Sequence, residues 1–248
     1  MANTYFQFKQ FIVHQEHTAM KVCTDACLFG AWVAQDKSLQ NVNKILDIGA
    51  GTGLLSLMLA QATANQTSPP RITAVEIEND AAKEASANFT LSPWTERLHL
   101  VHQSIQHFSK KVSNEKFDII ISNPPFFESD LASPSASKNL AAHSMALSWE
   151  ELSIEVRNLL SDQGYYYCLI PAIRAYTMQK NCATQGLALL EEVTVYNSAK
   201  QMPFRSLQKY GKLQEELPVL RSSIYIKDAQ NEYTTTFKNL LQAYYLHL

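Results

Sequence analysis

The chain has 248 residues, enough for one large α/β domain or two small ones. Hydrophobic residues make up 46% of it and charged residues 18%, which supports a sizeable core and argues against disorder. The formal net charge of −2 excludes a polycation, so any contact with nucleic acid must use a local patch of positive charge.

The cysteines and the apolar runs favour a cytoplasmic protein without a metal. The cysteines are scattered rather than spaced as a disulfide set, and residues 1–5 show no signal-peptide pattern. No apolar run approaches the roughly 20 residues of a membrane span. His14, His17, Cys23 and Cys27 do not have the spacing of a structural zinc site. We therefore expect a cytoplasmic protein with no metal and no membrane contact. We also expect it to be a monomer.

The first predicted elements are a short extended segment and an apolar helix. Residues 6–13 alternate aromatic and polar side chains, which predicts a strand or extended arm. Thr24 or Asp25 is expected to cap a helix that continues to about Val33.

A polar linker, residues 36–43, follows this helix and leads into a strongly apolar strand. We place a boundary here. Residues 1–43 are expected to form a segment that covers the functional site, and residues 44–248 the main domain, within one compact unit.

The chain is organised around a strand, a glycine turn and a helix. An apolar run, residues 45–48, leads into Gly49, Gly51 and Gly53, and a helical apolar pattern begins at Leu54. Glycines allow a sharp turn and close approach of a ligand, as in the first βα turn of nucleotide-binding sheets. Leu54 stands where the dinucleotide fingerprint has its third glycine, and no Gly-Lys-Ser/Thr phosphate motif is present.

Polar side chains stand at or beside the ends of four predicted strands. The strands cover residues 45–48, 71–76, 98–101 and 117–122. The polar residues are Asp47, Glu76, Ser104 and Asn123. In open α/β sheets the ligand lies beyond the carboxyl ends of the strands, so these four groups are predicted to meet at one edge.

The rest of the chain continues the alternation of helices and strands. Ser148 and Glu151 form a capping box for a helix to Leu160, which Gly164 is expected to close. Further helices are predicted at 80–91, 172–183 and 234–246, and further strands at 165–170, 187–196, 204–210 and 222–227. The pattern predicts one α/β domain with a doubly wound, mostly parallel, Rossmann-like sheet of seven strands, the last of them antiparallel.

Residues 123–126, Asn-Pro-Pro-Phe, carry the most specific chemistry. Two consecutive prolines stiffen the turn and hold the Asn123 side-chain oxygen and the Pro124 carbonyl in place. Two fixed acceptors suit a planar NH₂ group, and Phe126 offers a flat face on which a ring can stack. The motif therefore predicts recognition of an exocyclic amine or an amide, covered by a loop at residues 128–146.

Three features of the chain, namely the glycine turn, Glu76 and residues 123–126, resemble the motifs of the S-adenosylmethionine-dependent amino-methyltransferases. The chain resembles more closely the bacterial tRNA1(Val) adenine-N6 methyltransferases, which modify the adenosine next to the anticodon. Stretches within residues 8–11, 20–32 and 233–246 carry this closer resemblance. It spans nearly the whole chain and implies a class I methyltransferase fold.

The resemblance also implies roles for the predicted site residues. Gly49, Gly51 and Gly53 would pass under the methionine part of the cofactor S-adenosylmethionine. Asp47 would face its amino group. Glu76, which lies 23 residues after Gly53, would hold the ribose hydroxyls.

The resemblance places Ser104 and Ile105 beside the cofactor adenine and Asn123 at both cofactor and target. Such families usually carry Asp where this chain has Ser104, which can accept a hydrogen bond but brings no charge. The implied reaction is methyl transfer to adenine N6 in the anticodon loop of a valine tRNA. The extruded base would be held by Asn123 and Pro124 and stacked on Phe126.

Other functions remain open from the residues alone. The same Asn-Pro-Pro turn serves methylation of guanine N2 in rRNA or of a glutamine amide in a protein, usually with a separate substrate domain. A nicotinamide oxidoreductase is disfavoured by Leu54, and a non-catalytic RNA-binding module would keep the fold without the chemistry. Late basic residues are a candidate RNA patch: Lys200, Arg205, Lys209 and Lys212.

Overall fold

The computed structural model describes residues 3–18, 20–124, 147–212 and 218–248. Phe126 and the predicted loop at 128–146 lie outside these residues. The strands are β1 (Tyr5–Gln7), β2 (Ile12–His14), β3 (Lys44–Ile48), β4 (Arg71–Glu76), β5 (Leu98–His102), β6 (Phe117–Ser122), β7 (Leu160–Pro171), β8 (Ala188–Ser198), β9 (Arg205–Gly211) and β10 (Leu220–Lys227). The helices are α1 (Thr24–Ala34), α2 (Leu54–Ala62), α3 (Asn79–Leu91), α4 (Ile105–Lys111), α5 (Trp149–Leu159), α6 (Ala175–Thr184) and α7 (Thr235–Leu241).

The main sheet has the order β10-β8-β9-β7-β6-β3-β4-β5. Neighbouring strands are parallel except at β9, which runs antiparallel to both β7 and β8. The predicted doubly wound sheet with a late antiparallel strand is confirmed. The described sheet has eight strands rather than seven, because β10 adds in parallel to β8 and the antiparallel strand is not the last.

Helices cover both faces of this sheet. Ile119 and Ile121 of β6 pack with α1, α2, α3 and α7, whereas Ile120 packs with α4, α5 and α6. All three isoleucines are fully buried, as expected for a central parallel strand covered on both faces.

The N-terminal segment is a hairpin rather than one extended arm. Strands β1 and β2 pair antiparallel, with Phe6 opposite Val13. Phe8 stacks on Phe11 with ring centroids 4.5 Å apart, and Phe8 also bridges to Tyr245 near the end of the chain. The aromatic residues of the predicted arm therefore pack into the main core.

Tertiary contacts override the predicted cap of one helix and the predicted end of another. The N-cap of α1 is Cys23, without a side-chain hydrogen bond, while the Asp25 carboxylate pairs with Arg205 at 2.6 Å. The predicted terminal helix ends early, at Leu241. The chain beyond α7 pairs with the N-terminal segment instead, where Lys9 N donates to Tyr244 O at 2.8 Å.

Gly164 lies inside β7 and does not close the preceding helix. Helix α5 ends at Leu159, and its predicted capping box of Ser148 and Glu151 is confirmed. A Cβ at position 164 would stand 2.9 Å from the backbone oxygen of Asp118. Glycine is needed here because the backbones of β7 and β6 approach closely.

Three of the four late basic residues are engaged with acids. Lys209 Nζ lies 2.7 Å from Asp36, Arg205 pairs with Asp25, and Lys212 lies 3.4 Å from Asp162. These pairs lower the positive charge that the predicted RNA patch would present. No helix within the described ranges is long and apolar enough to cross a membrane. The same ranges contain no group of three or more His, Cys, Asp or Glu that could hold a metal.

Asn88 of α3 ties the N-terminal hairpin to the glycine turn. It is fully buried, and its Oδ1 accepts from His14 N at 2.8 Å. Its Nδ2 donates to His14 O and to Thr52 O, both at 2.9 Å. Glu84, one turn earlier, accepts from the backbone of residues 17 and 18.

Asn88→Ala should destabilise the protein by about 2–4 kcal/mol, because it leaves the buried Thr52 carbonyl and the part-buried N–H and C=O of His14 without their partner. The measurement is thermal unfolding, with hydrogen exchange at the His14 amide as the local readout. Asn79→Ala is the matched control, since Asn79 is an exposed residue of the same helix whose side chain donates to the neighbouring Asp80. Equal melting temperatures of the Asn88 variant and the wild type would contradict this role.

Candidate active site

The polar residues predicted at four strand ends do meet at one edge of the sheet. Strands β6, β3, β4 and β5 are adjacent and parallel, so their carboxyl ends lie side by side. We call this side the carboxyl edge. Asp47 and Glu76 lie in the last two positions of β3 and β4, Asn123 follows β6 directly, and Ser104 lies two residues after β5.

The glycine turn between β3 and α2 is fastened to β4. The amides of Gly49 and Ala50 donate to Val75 O at 2.9 and 3.2 Å. Gly49, Gly51 and Gly53 have φ values of 72°, 57° and 81°, which other residues rarely adopt. The turn therefore depends on its glycines for backbone conformation.

Two of these glycines border open space and the third does not. A Cβ at Gly49 or Gly51 would meet no atom within 4 Å, so their surfaces are free for a ligand. A Cβ at Gly53 would stand 2.4 Å from Phe89 Cε1. Gly53 thus allows α2 to pack against α3, and the open part of the turn is formed by the first two glycines.

Asp47 is a fully buried carboxylate with one unused oxygen. Its Oδ2 accepts from Ser56 N at 3.1 Å and from Ser56 Oγ at 2.7 Å. Its Oδ1 has no hydrogen-bond partner among the described residues. Burial, opposed by the bonds from Ser56 and reinforced by the charge of Glu76, raises the pKa of Asp47 to about 7. The free oxygen can accept from a cationic or N–H donor.

Glu76 holds the backbone around the site. Its Oε2 accepts from Gly51 N, and its Oε1 accepts from the amides of Ile77 and Glu78, each at 2.8 Å. The residue is 7% exposed. Each carboxylate oxygen can accept more than one hydrogen bond, so the side chain can fix the turn and still bind a hydroxyl.

Ser104 and Ile105 occupy the start of α4. Ser104 is its N-cap and accepts from His107 N, with His107 Nδ1 3.0 Å from the hydroxyl. Ile105 is buried, 5% exposed, and packs in the core on the same face of the sheet as Ile120. The preceding Gln103 has a buried Nε2 without a partner among the described residues, so a free donor lies beside Ser104.

Asn123 carries a second unused acceptor. Its Oδ1 is buried and has no hydrogen-bond partner among the described residues. Pro124 beside it is buried. Strand β6 is fixed just before them, where the Ser122 hydroxyl lies 2.9 Å from the Tyr166 hydroxyl. A buried, unpaired acceptor is costly to leave unsatisfied, which points to a ligand that donates a hydrogen bond.

Sequence reasoning missed the residues that support the site. Ser56 binds Asp47, and Asn88 binds the glycine turn through Thr52. Ser56 did leave a signal, because it is the one hydroxyl residue in the apolar helix α2. Gln103 left none, since an amide after a strand is common on protein surfaces.

The chain matches known methyltransferases. The family model Methyltransferase small domain matches residues 33–149. A predicted O-methyltransferase from Agrobacterium tumefaciens superposes with a TM-score of 0.65 at 15% identity, over 88% of this chain and 96% of that one. The P. horikoshii protein TYW2, solved with MeSAdo, gives 0.56 at 12% identity over 86% and 73%. At this identity the likeness shows the fold.

Relatives that match over the full length of the chain identify its family more specifically than the solved structures do. A Cytophaga hutchinsonii protein named tRNA1(Val) (adenine(37)-N6)-methyltransferase is 40% identical over 248 residues, covering 100% of both chains. One of the same name from Dyadobacter fermentans is 39% identical over 98% of each. The chain therefore belongs to the family of the tRNA1(Val) (adenine(37)-N6)-methyltransferases.

Proposed function

We propose that this protein transfers a methyl group from S-adenosylmethionine to N6 of an adenosine in the anticodon loop of tRNA1(Val), next to the anticodon. The relatives named above carry that activity in their names. In this chain the proposal rests on Asn123 Oδ1 at the carboxyl edge, which is buried and has no hydrogen-bond partner among the residues that the structure describes. An exocyclic NH₂ is the donor that this acceptor fits.

The residues at the end of β3 and β4 fit the cofactor. S-adenosylmethionine supplies a methyl group activated by a sulfonium. The open surfaces of Gly49 and Gly51 would lie against its methionine part, and the free Asp47 Oδ1 would accept from its amino group. Glu76 would bind the ribose hydroxyls.

The adenine end of this site would lie at the start of α4. Ser104 and Ile105 would flank the ring there. The free Nε2 of Gln103 adds a donor beside them.

Asn123 and Pro124 would position the reacting amine. The side-chain oxygen of Asn123 and the backbone oxygen of Pro124 would each accept one of its two hydrogens, which orients the nitrogen lone pair toward the methyl group. The nitrogen can lose its proton after the new bond forms, so no strong base is required. Phe126 is proposed to stack on the extruded base.

Residues 1–43 are proposed to cover this site. The support is that the segment is tied to residues beside it. Asn88 joins His14 to Thr52 of the glycine turn, and Glu84 holds residues 17 and 18. The remaining residues, 44–248, would form the catalytic domain.

One experiment tests the reaction. The protein is incubated with labelled S-adenosylmethionine and tRNA, and the modified nucleoside is identified after digestion. Labelled N6-methyladenosine at the position next to the anticodon is expected. Labelled N2-methylguanosine, label in protein, or RNA binding without transfer would replace the proposal with guanine methylation, glutamine methylation or a non-catalytic module.

Asn123→Ala should lower kcat about 10²–10³-fold, the usual cost of removing one positioned group at a reacting centre. Its cofactor dissociation constant should change little, because the glycine turn stays intact. Asn158→Ala, at an exposed asparagine of α5, is the control. Unchanged turnover in the Asn123 variant would exclude the amine-holding role.

Glu76→Gln should weaken S-adenosylmethionine binding about tenfold, and Glu76→Ala more, since both the ribose contact and the acceptor for Gly51 N are lost. Isothermal titration measures both dissociation constants. Glu78→Gln is the matched control, because Glu78 is an exposed acid that caps α3. If both Glu76 variants bind S-adenosylmethionine as tightly as the wild type and the Glu78 control, Glu76 does not contact the cofactor.

Cofactor binding should strengthen as the pH rises through about 7. Below that pH the raised pKa keeps Asp47 protonated, and a neutral carboxyl cannot pair with an ammonium group. Affinity should rise by up to about tenfold per pH unit below the pKa and level off above it. Asp47→Asn should flatten the profile. A wild-type affinity that is constant from about pH 5.5 to about pH 8 would contradict an ammonium contact at Asp47.

A further inference from the structure

A cavity lies at the same carboxyl edge, beyond the site described above. It has a volume of about 230 Å³ and lies between the start of α1 and the ends of β8 and β10. We propose that it binds the base and sugar of a second, unpaired nucleotide of the RNA substrate. The proposal rests on the proposed function for the identity of that RNA.

The position of the cavity suits a nucleotide near the target. Strand β7 is parallel to β6, and β9 is antiparallel to both β7 and β8, so β8 runs parallel to β6, as does β10, which pairs in parallel with β8. Their ends therefore lie on the same edge as Asn123. Three strand spacings separate β6 from β8 and four separate it from β10 in the sheet order, roughly 14–19 Å at about 4.8 Å each. A few nucleotides of unpaired RNA span that distance.

The surface between Asn123 and the cavity carries exposed apolar side chains. Ile173, just after β7, is 87% exposed, and Met202, in the turn between β8 and β9, is 83% exposed. Both turns stand on the carboxyl edge. Unstacked RNA bases offer apolar faces that these two side chains can contact.

Two aromatic rings line the cavity. Tyr233 stacks on the fully buried Phe237 with centroids 4.6 Å apart, which fixes its ring, yet 37% of the residue is exposed. Phe204, also at the cavity, is partly buried, and its backbone N donates to Val195 O. Held rings that remain accessible are the platforms on which unpaired bases stack.

The charge of the cavity favours a phosphate. Asp25 lines it, but Arg205 Nε lies 2.6 Å from Asp25 Oδ2, so the two charges cancel. Lys227 also lines it, and its Nζ donates to the neutral Asn231 Oδ1 at 3.1 Å and lies 5.8 Å from the centre of the Tyr233 ring. Within the described ranges no carboxylate pairs with Lys227, so the cavity keeps a net positive charge that can bind one phosphate.

The remaining polar side chains can contact a base or a ribose. Thr24 and Asn197 line the cavity, and both are exposed. Neither side chain is bonded to another described residue. An amide and a hydroxyl can each donate and accept, which suits the mixed edge of a base. The volume is below the roughly 300–1,000 Å³ of pockets for drug-sized ligands and suits a single ring with its sugar.

The test uses Tyr233→Leu and Lys227→Met in the full-length protein with tRNA as substrate. Each should raise the KM for tRNA about 5- to 100-fold, the effect of losing one stacked base or one desolvated phosphate contact, with kcat and the cofactor dissociation constant unchanged. Tyr233→Phe should retain wild-type KM. Lys116→Met is the charge control, because Lys116 lies at the opposite edge, just before β6.

Two further measurements separate this role from a structural one. The RNA binding constant is measured at several salt concentrations. The slope of its logarithm against the logarithm of salt concentration should become less negative by about 0.7 in Lys227→Met, the value for one phosphate of a single strand. Anticodon-loop nucleotides are also replaced one at a time by an abasic ribose. At one loop position, the loss of RNA affinity caused by the abasic replacement should be non-additive with the loss caused by Tyr233→Leu.

The outcomes distinguish the two proposals. RNA binding that depends on Tyr233 and Lys227, in a protein that does not methylate tRNA, would retain the nucleotide site and remove the proposed reaction. Normal tRNA methylation with unchanged KM and salt slope in both variants would overturn the nucleotide site alone. Coupling to no loop position would overturn it as well.

Discussion

The site depends on the attachment of the glycine turn to strand β4. Gly49 N and Ala50 N donate to Val75 O, and Gly51 N donates to the Glu76 carboxylate. Three consecutive donors are thus bound by one strand end before any ligand arrives. A turn that is already ordered loses little conformational entropy on binding, which improves affinity without adding contacts.

Local patterns predicted the parts of the fold that local chemistry controls. The apolar run into Gly49, the capping box of Ser148 and Glu151 and the apolar strand β6 all appear where the residues indicate. The rule that polar groups at the carboxyl ends of parallel strands share one edge also predicted that Asp47 and Asn123 lie on the same side.

Long-range contacts decided the rest. Nothing near Gly164 in the sequence shows that a Cβ at this position of β7 would stand 2.9 Å from the backbone oxygen of Asp118 in β6. The attachment of Asp25 to Arg205 likewise joins residues 180 positions apart. In the site, the side-chain oxygens Asp47 Oδ1 and Asn123 Oδ1 have no hydrogen-bond partner among the described residues, which no local pattern in the sequence indicates. The pattern of the last helix was amphipathic, but pairing of Tyr245 with Phe8 ended it at Leu241.

That pairing of Phe8 with Tyr245 also brings the two ends of the chain together. Tyr244 reaches further, because its hydroxyl lies 3.2 Å from Met58 O in the helix that follows the glycine turn. The C-terminal segment at residues 244–245 therefore contacts both the N-terminal segment and α2. Removing the last few residues would expose the side chains of Phe6 and Phe8, which contact Tyr245, and would weaken the attachment of the N-terminal hairpin. A truncation at either terminus would therefore also affect the packing of α2.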